Sequence, residues 1–273
     1  MNAGMKVILS VNAIKPSLSG IGRYTWELAK RTPTIHGVKS VRFFSNGRWV
    51  NKASSLLEQS SVKLAVRQRL IRSPLVVAAY RCLSPLLLRQ RLRNYSDHIY
   101  HGTSFLLPPF PGPAIVTIHD LSVFRYPQFH PPERVSFMQR EIPITLDRAN
   151  FLITDSEFIR QEIIEFFGWP ADKVRAIPLG ITQDYYPRRM EETVNVLRKF
   201  GLEFSAYTLC VATIEPRKNI GTLLSAYEAL PQALRNRYPL VLAGGYGWRS
   251  EAIHRRIEHG QRQGWLRYLG YVS

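Results

Sequence analysis

Three short stretches place reactive or charged residues where they could act on a phosphorylated ligand. Ser19-Gly20-Ile21-Gly22-Arg23-Tyr24 sets two glycines just before a helix start. Glycine lets backbone approach a ligand closely, and the free N–H groups of a first helical turn attract phosphate. The stretch reads either as a diphosphate contact or as a plain loop-to-helix turn. As a dinucleotide fingerprint it is poor, because Thr25 stands where a third glycine belongs and no acid ends the second strand. Thr213-Ile214-Glu215-Pro216-Arg217-Lys218-Asn219 follows a strand and opens a helix. Adjacent cations beside a helix N-terminus oppose the helix dipole. A bound diphosphate would give them a reason; ordinary surface charge is the other reading. Fixed positive groups beside a departing diphosphate stabilise the transition state more than the ground state. Ile118-His119-Asp120-Leu121 ends a buried strand. His119 is there either a satisfied structural residue or, since strand ends face the ligand cleft, a hydrogen-bonding group for the reaction.

Other chemistries are disfavoured. His98 and His101 look like a metal pair, but three-residue spacing on a strand sets them on opposite faces. His101, in His101-Gly102-Thr103, either lines the cleft or is structural. Many sugar-nucleotide enzymes hold a metal on an Asp-x-Asp pair. None occurs in this chain, so Arg217 and Lys218 are the available substitutes and no metal or other cofactor is expected.

The elements that must carry these residues alternate strand and helix, the pattern of a parallel sheet wrapped by helices. Strands are expected at Lys6–Val11, Val41–Phe44, His98–His101, Ala114–His119, Phe151–Thr154 and Val174–Pro178. Helices are expected from Gly22 to Arg31, over the basic region from about Ala53 to Asn94, and over Glu157–Phe167 behind a Ser156 N-cap. A short helix at Glu191–Phe200 precedes a second alternation: strands Thr208–Thr213, Leu240–Ala243 and Tyr268–Val272, with helices Ile220–Leu230 and Glu251–His259. The expected division is residues 1–183, a linker at about 184–204, and a second, incomplete α/β domain at 205–273. Open α/β sheets bind ligands at the carboxyl ends of their strands.

Of 273 residues, 45% are apolar and 21% charged, the balance of a globular protein and not of a disordered one. The longest apolar stretch, Pro74 to Leu88, is broken by Arg81 and Pro85, so no membrane-spanning helix is expected. The N-terminus lacks a signal-peptide layout, and Cys82 and Cys210 are too few for a disulfide framework, which fits a cytoplasmic location. Net charge is +17, and from Gln59 to Ser96 there is no acid among Lys63, Arg67, Arg69, Arg72, Arg81, Arg89, Arg91 and Arg93. Interleaved Leu, Val, Ile and Tyr make this either a solvated basic face or an amphipathic surface for anionic membranes. No motif supports nucleic-acid binding.

Together the stretches above, with Tyr100-His101-Gly102-Thr103, Thr154-Asp155-Ser156-Glu157-Phe158, Ile177-Pro178-Leu179-Gly180 and Leu242-Ala243-Gly244-Gly245, resemble glycosyltransferase family 4. The resemblance implies a GT-B-like α/β fold of two tandem Rossmann-like, doubly wound domains. It implies transfer of a sugar such as mannose or rhamnose from a GDP- or UDP-sugar to a saccharide or lipid-linked acceptor, with retention and without metal. Gly20, Gly22, Arg23, Asp120, Gly244 and Gly245 would then bind the donor. His119 would contact its sugar, Arg217 and Lys218 its diphosphate across the cleft, and His101 and Glu215 would line that cleft. The acceptor would dock on the first domain, with the basic segment against the inner face of the cell membrane. The family's Glu-x7-Glu segment would lie beyond Ser273, so weak transfer by this chain is expected. A catalytically silent membrane or assembly protein is the rival reading, and a nicotinamide oxidoreductase a distant third.

Overall fold

Val7, Ile8 and Leu9 are buried in succession, as a strand covered on both faces requires. They lie in β1 (Met5–Ser10), the third strand across a seven-stranded sheet. With β2 (Val38–Ser45), β3 (Arg48–Val50), β4 (Ile99–Gly102), β5 (Ala114–Ile118), β6 (Phe151–Thr154) and β7 (Val174–Ala176), the order is β3-β2-β1-β4-β5-β6-β7. Every pairing is parallel except β2 with β3. The chain reverses direction across the sheet between β1 and β4. That is the switch point where open sheets leave a crevice at the carboxyl ends of their strands.

The computed structural model describes residues 4–58 and 85–272. They divide into two units, Met1–Ser122 with Phe137–Gly180 and Val123–Ser136 with Ile181–Ser273. The first unit holds the seven-stranded sheet. The second holds β8 (Thr208–Val211), β9 (Leu240–Ala243) and β10 (Leu266–Gly270), parallel in the order β10-β9-β8. Its core gathers Ile214, Leu224, Leu240, Leu242, Ile257 and Trp265, with helices Ile220–Glu228 and Glu251–Arg262 packed on the sheet. Each such fully buried side chain contributes about 2 kcal/mol relative to exposure.

Several expectations are revised. The first helix runs Gly20–Arg31, so Gly20 and Gly22 lie inside its first turn instead of before it; the Ser19 hydroxyl caps it by accepting from Gly22 N at 3.3 Å. The expected strand at His98–His101 starts at Ile99, which leaves His98 outside it. β3 was not expected. Asn46-Gly47, at φ 48° and 78°, is a two-residue turn with both centres left-handed, the geometry that closes a hairpin. A helix at Pro132–Arg148 was also unexpected. In the basic stretch, residues 85–92 are helical, while 59–84 lie outside the described residues.

Candidate active site

In the first unit, the carboxyl ends of β1, β4, β5 and β6 converge on His119. His101 pairs with Leu9 on one side and Ile115 on the other, which sets β4 between β1 and β5. His119 Nδ1 lies 2.7 Å from Asp155 Oδ2, and Nε2 lies 2.9 Å from the Thr103 carbonyl. Both ring nitrogens are thus engaged within the protein. Only 6% of the His119 side chain is exposed, and 21% of Asp155. Asp155 Oδ1 is buried and has no hydrogen-bond partner among the described residues.

A second set of bonds ties the helix to these strand ends. Thr25 Oγ1 donates to Thr103 Oγ1 at 3.0 Å and Thr103 Oγ1 to the Ser10 carbonyl at 2.8 Å. Thr117 Oγ1 lies 2.9 Å from both the Tyr24 hydroxyl and His101 Nε2. Tyr24 and Phe105 meet the His119 ring at 5.1 and 5.5 Å between centroids. Phe105 holds φ 60°, a conformation costing a bulky residue about 1 kcal/mol. Burial first, then the charge of His119, lowers the His101 pKa to about 4, so His101 is neutral at neutral pH. Burial also raises the Tyr24 pKa. His101 and His119 therefore share one network, which the sequence did not link. Asp155, Thr103, Thr117 and Tyr24 enter the site without having been assigned a role beforehand.

The other first-unit candidates make further contacts of their own. Arg23 Nε pairs with Glu27 Oε1 at 2.9 Å on the helix surface. Asp120 Oδ1 accepts from Ser122 N and Oγ at 2.9 and 2.5 Å, closing the turn after β5. A Cβ on Gly22 would come 2.9 Å from the Ala13 carbonyl, so packing within the protein already requires glycine there; nothing lies within 4 Å at Gly20.

In the second unit, Pro216–Lys218 is a 3-10 turn and the helix begins at Ile220, after left-handed Asn219. Arg217 Nε and Nη2 both reach Glu215 Oε1, at 3.1 and 2.9 Å, and Glu215 is 2% exposed. The two adjacent cations of the sequence are thus unlike: Arg217 is neutralised by a buried carboxylate, whereas Lys218 is exposed. This turn is stitched to the loop after β9 by Ile214 N donating to the Gly245 carbonyl and Gly247 N to the Ile214 carbonyl, both at 3.0 Å. At Gly244, φ is 156° and a Cβ would sit 1.9 Å from the Ala212 carbonyl, so no other residue fits; Gly245 has nothing within 4 Å.

A parallel sheet with its polar cluster at the switch point, followed by a second parallel sheet, is the fold of the GT-B glycosyltransferases. Solved structures agree. WaaG, a glycosyltransferase involved in lipopolysaccharide biosynthesis, matches with TM-score 0.64 at 15% identity, over 98% of this chain and 70% of that one. Anabaena Alr3699/HepE in complex with UDP-glucose matches with TM-score 0.60 at 14% identity, over the same shares. The model for Glycosyltransferase Family 4 matches residues 18–185. O-antigen chain mannosyltransferase B of Escherichia coli is 40% identical over 272 residues, 98% of this chain and 71% of that protein. Serotype-specific mannosyltransferase WbdA of Escherichia coli is 32% identical over 133 residues, 46% of this chain and 16% of that protein. The chain belongs to glycosyltransferase family 4 and is a glycosyltransferase.

Proposed function

We propose that this chain transfers a hexose, mannose before rhamnose, from a GDP- or UDP-sugar to a saccharide or lipid-linked acceptor in O-antigen-type polysaccharide synthesis. Transfer proceeds with retention and without a metal. The observation that carries this reading is the turn at 215–218, where Glu215 holds Arg217 and leaves the Lys218 ammonium exposed on a strand-end loop. Lys218 neutralises the charge that builds on the departing diphosphate, and Arg217, fixed by Glu215, gives it a second donor. The 40% identity to an O-antigen chain mannosyltransferase supports the choice of sugar and pathway class.

In the first unit, a sugar hydroxyl takes His119 Nε2–H in place of the Thr103 carbonyl. Asp155 keeps the ring oriented, and Gly20 offers an uncrowded first helical turn to phosphate. Leu86 and Leu87, 63% and 54% exposed beside Arg89 and Arg91, support a peripheral site on the cytoplasmic face of the membrane.

A panel of GDP-, UDP- and ADP-sugars tests the reading, by thermal shift and by nucleoside diphosphate release in excess chelator. One guanosine or uridine donor is expected to raise the melting temperature, and Lys218→Ala to weaken release about 100-fold without changing the fold. Silence towards every nucleotide sugar, or equal response in Lys218→Ala, sinks it.

A further inference from the structure

The β2–β3 hairpin and the turn after it enclose a half-open cavity of ≈ 670 Å³ that none of the candidate residues touches. Its walls include Asn46, Arg48, Trp49, Asn51, Lys52 and Ser55. Trp49 is held by its neighbours: Phe44 meets it edge-on and Tyr95 at a tilt, at 4.9 and 4.7 Å between centroids, and the Arg42 guanidinium lies 5.9 Å from its ring centroid. The backbone is fixed as well, by Asn46 N donating to Asn12 Oδ1 at 2.6 Å across the end of β1. The wall is therefore preformed, and its charge is one-sided.

No acid lines the cavity. Arg48 and Lys52 carry no ion pair among the described residues. In the chain that follows, Glu58 makes no ion pair among the described residues, and no acid occurs from Gln59 to Ser96. Asp97, which ends that run, is 2.5 Å from Lys6 and 2.7 Å from His98. Two cations lining a cavity with no ion-pair partner among the described residues call for an anion. The amides of Asn46 and Asn51, the Ser55 hydroxyl and the indole N–H supply the neutral donors and acceptors that sugar hydroxyls require.

We propose that this hairpin pocket binds the phosphate-bearing end of a saccharide acceptor. Arg48 and Lys52 hold the phosphate, while Trp49, Asn46 and Asn51 contact the sugar. The proposal rests on the transferase reading above and adds the acceptor's chemical class and its place.

Mannose 1-phosphate and glucose 1-phosphate are titrated onto the full chain by saturation-transfer NMR, against methyl mannoside, inorganic phosphate and phosphatidylglycerol vesicles. A hexose phosphate is expected to bind at least about tenfold tighter than either half alone, and to weaken about tenfold in Arg48→Ala/Lys52→Ala. Both side chains are exposed, so the double variant is expected to melt as wild type does; Asn51→Ala tests the sugar contact without touching the charge. Inorganic phosphate binding as tightly as hexose phosphate, equal binding in the double variant, or loss of vesicle binding alone would each overturn the proposal. Nucleotide-sugar binding that depends on Lys218, with no hexose phosphate bound, sinks the pocket and spares the transferase. Hexose phosphate bound in a chain that takes no nucleotide sugar does the reverse.

Discussion

The two candidate clusters solve opposite problems. Around His119 most polar atoms are committed to one another: both ring nitrogens are engaged, and Tyr24 and Thr25, through Thr117 and Thr103, link the helix to the ends of β1, β4 and β5. Around Lys218 the commitment is made by its neighbour, with Glu215 and Arg217 locked together beneath an exposed ammonium. A ligand at the first cluster must displace an internal bond; at the second it need only approach. Removing a residue should therefore cost folding stability at His119 and function at Lys218.

The sharpest break of that contrast is Asp155→Ala. Removing the carboxylate leaves the His119 ring without its charged partner in a mostly buried place. A loss of about 3 kcal/mol in urea denaturation is expected, against a change within about 0.5 kcal/mol for exposed Lys218→Ala. Equal stabilities would erase the distinction. Next in size is acid sensitivity. The folded pKa of His101, about 4, lies below its ordinary 6.5, so below pH 6.5 the unfolded chain takes up the proton first. The stabilisation is whole above pH 6.5 and is lost as pH falls towards 4, roughly 3 kcal/mol for this group. Denaturation midpoints between pH 7 and 4 should fall less steeply in His101→Gln, and parallel curves would place the acid sensitivity elsewhere. The smallest effect is Tyr24→Phe, which removes the bond to Thr117 and leaves the ring against His119. It should cost about 1 kcal/mol, and no loss would mean water replaces that bond.

The strands and their order of appearance were readable because buried parallel strands are short apolar runs, and Ser156 announced its helix by capping chemistry. What escaped the sequence had identifiable causes. Asn46-Gly47 between Phe43-Phe44 and Trp49-Val50 is a hairpin signal, but the three residues of β3 are too short a run to show a strand's alternation. The helix Pro132–Arg148 carries Pro143 in its interior, a residue that normally argues against a helix. Asp155 sat within a recognised stretch, yet its role depends on β5 and β6 lying in register, Ile118 beside Thr154, and no local pattern reports that. Arg217 and Lys218 are equivalent in sequence, and only the turn at Pro216–Lys218 brings Arg217 and not Lys218 onto Glu215.

The excursion of residues 123–136 into the second unit has a practical meaning. Trp248 Nε1 donates to the Phe129 carbonyl at 2.9 Å, and Arg249 Nη1 to the carbonyls of Gln128 and His130 at 3.0 and 3.1 Å. The backbone consequently passes between the units three times, at 122–123, 136–137 and 180–181. No single cleavage separates them, and a fragment begun at residue 181 would leave Trp248 and Arg249 without the carbonyls they were folded to meet.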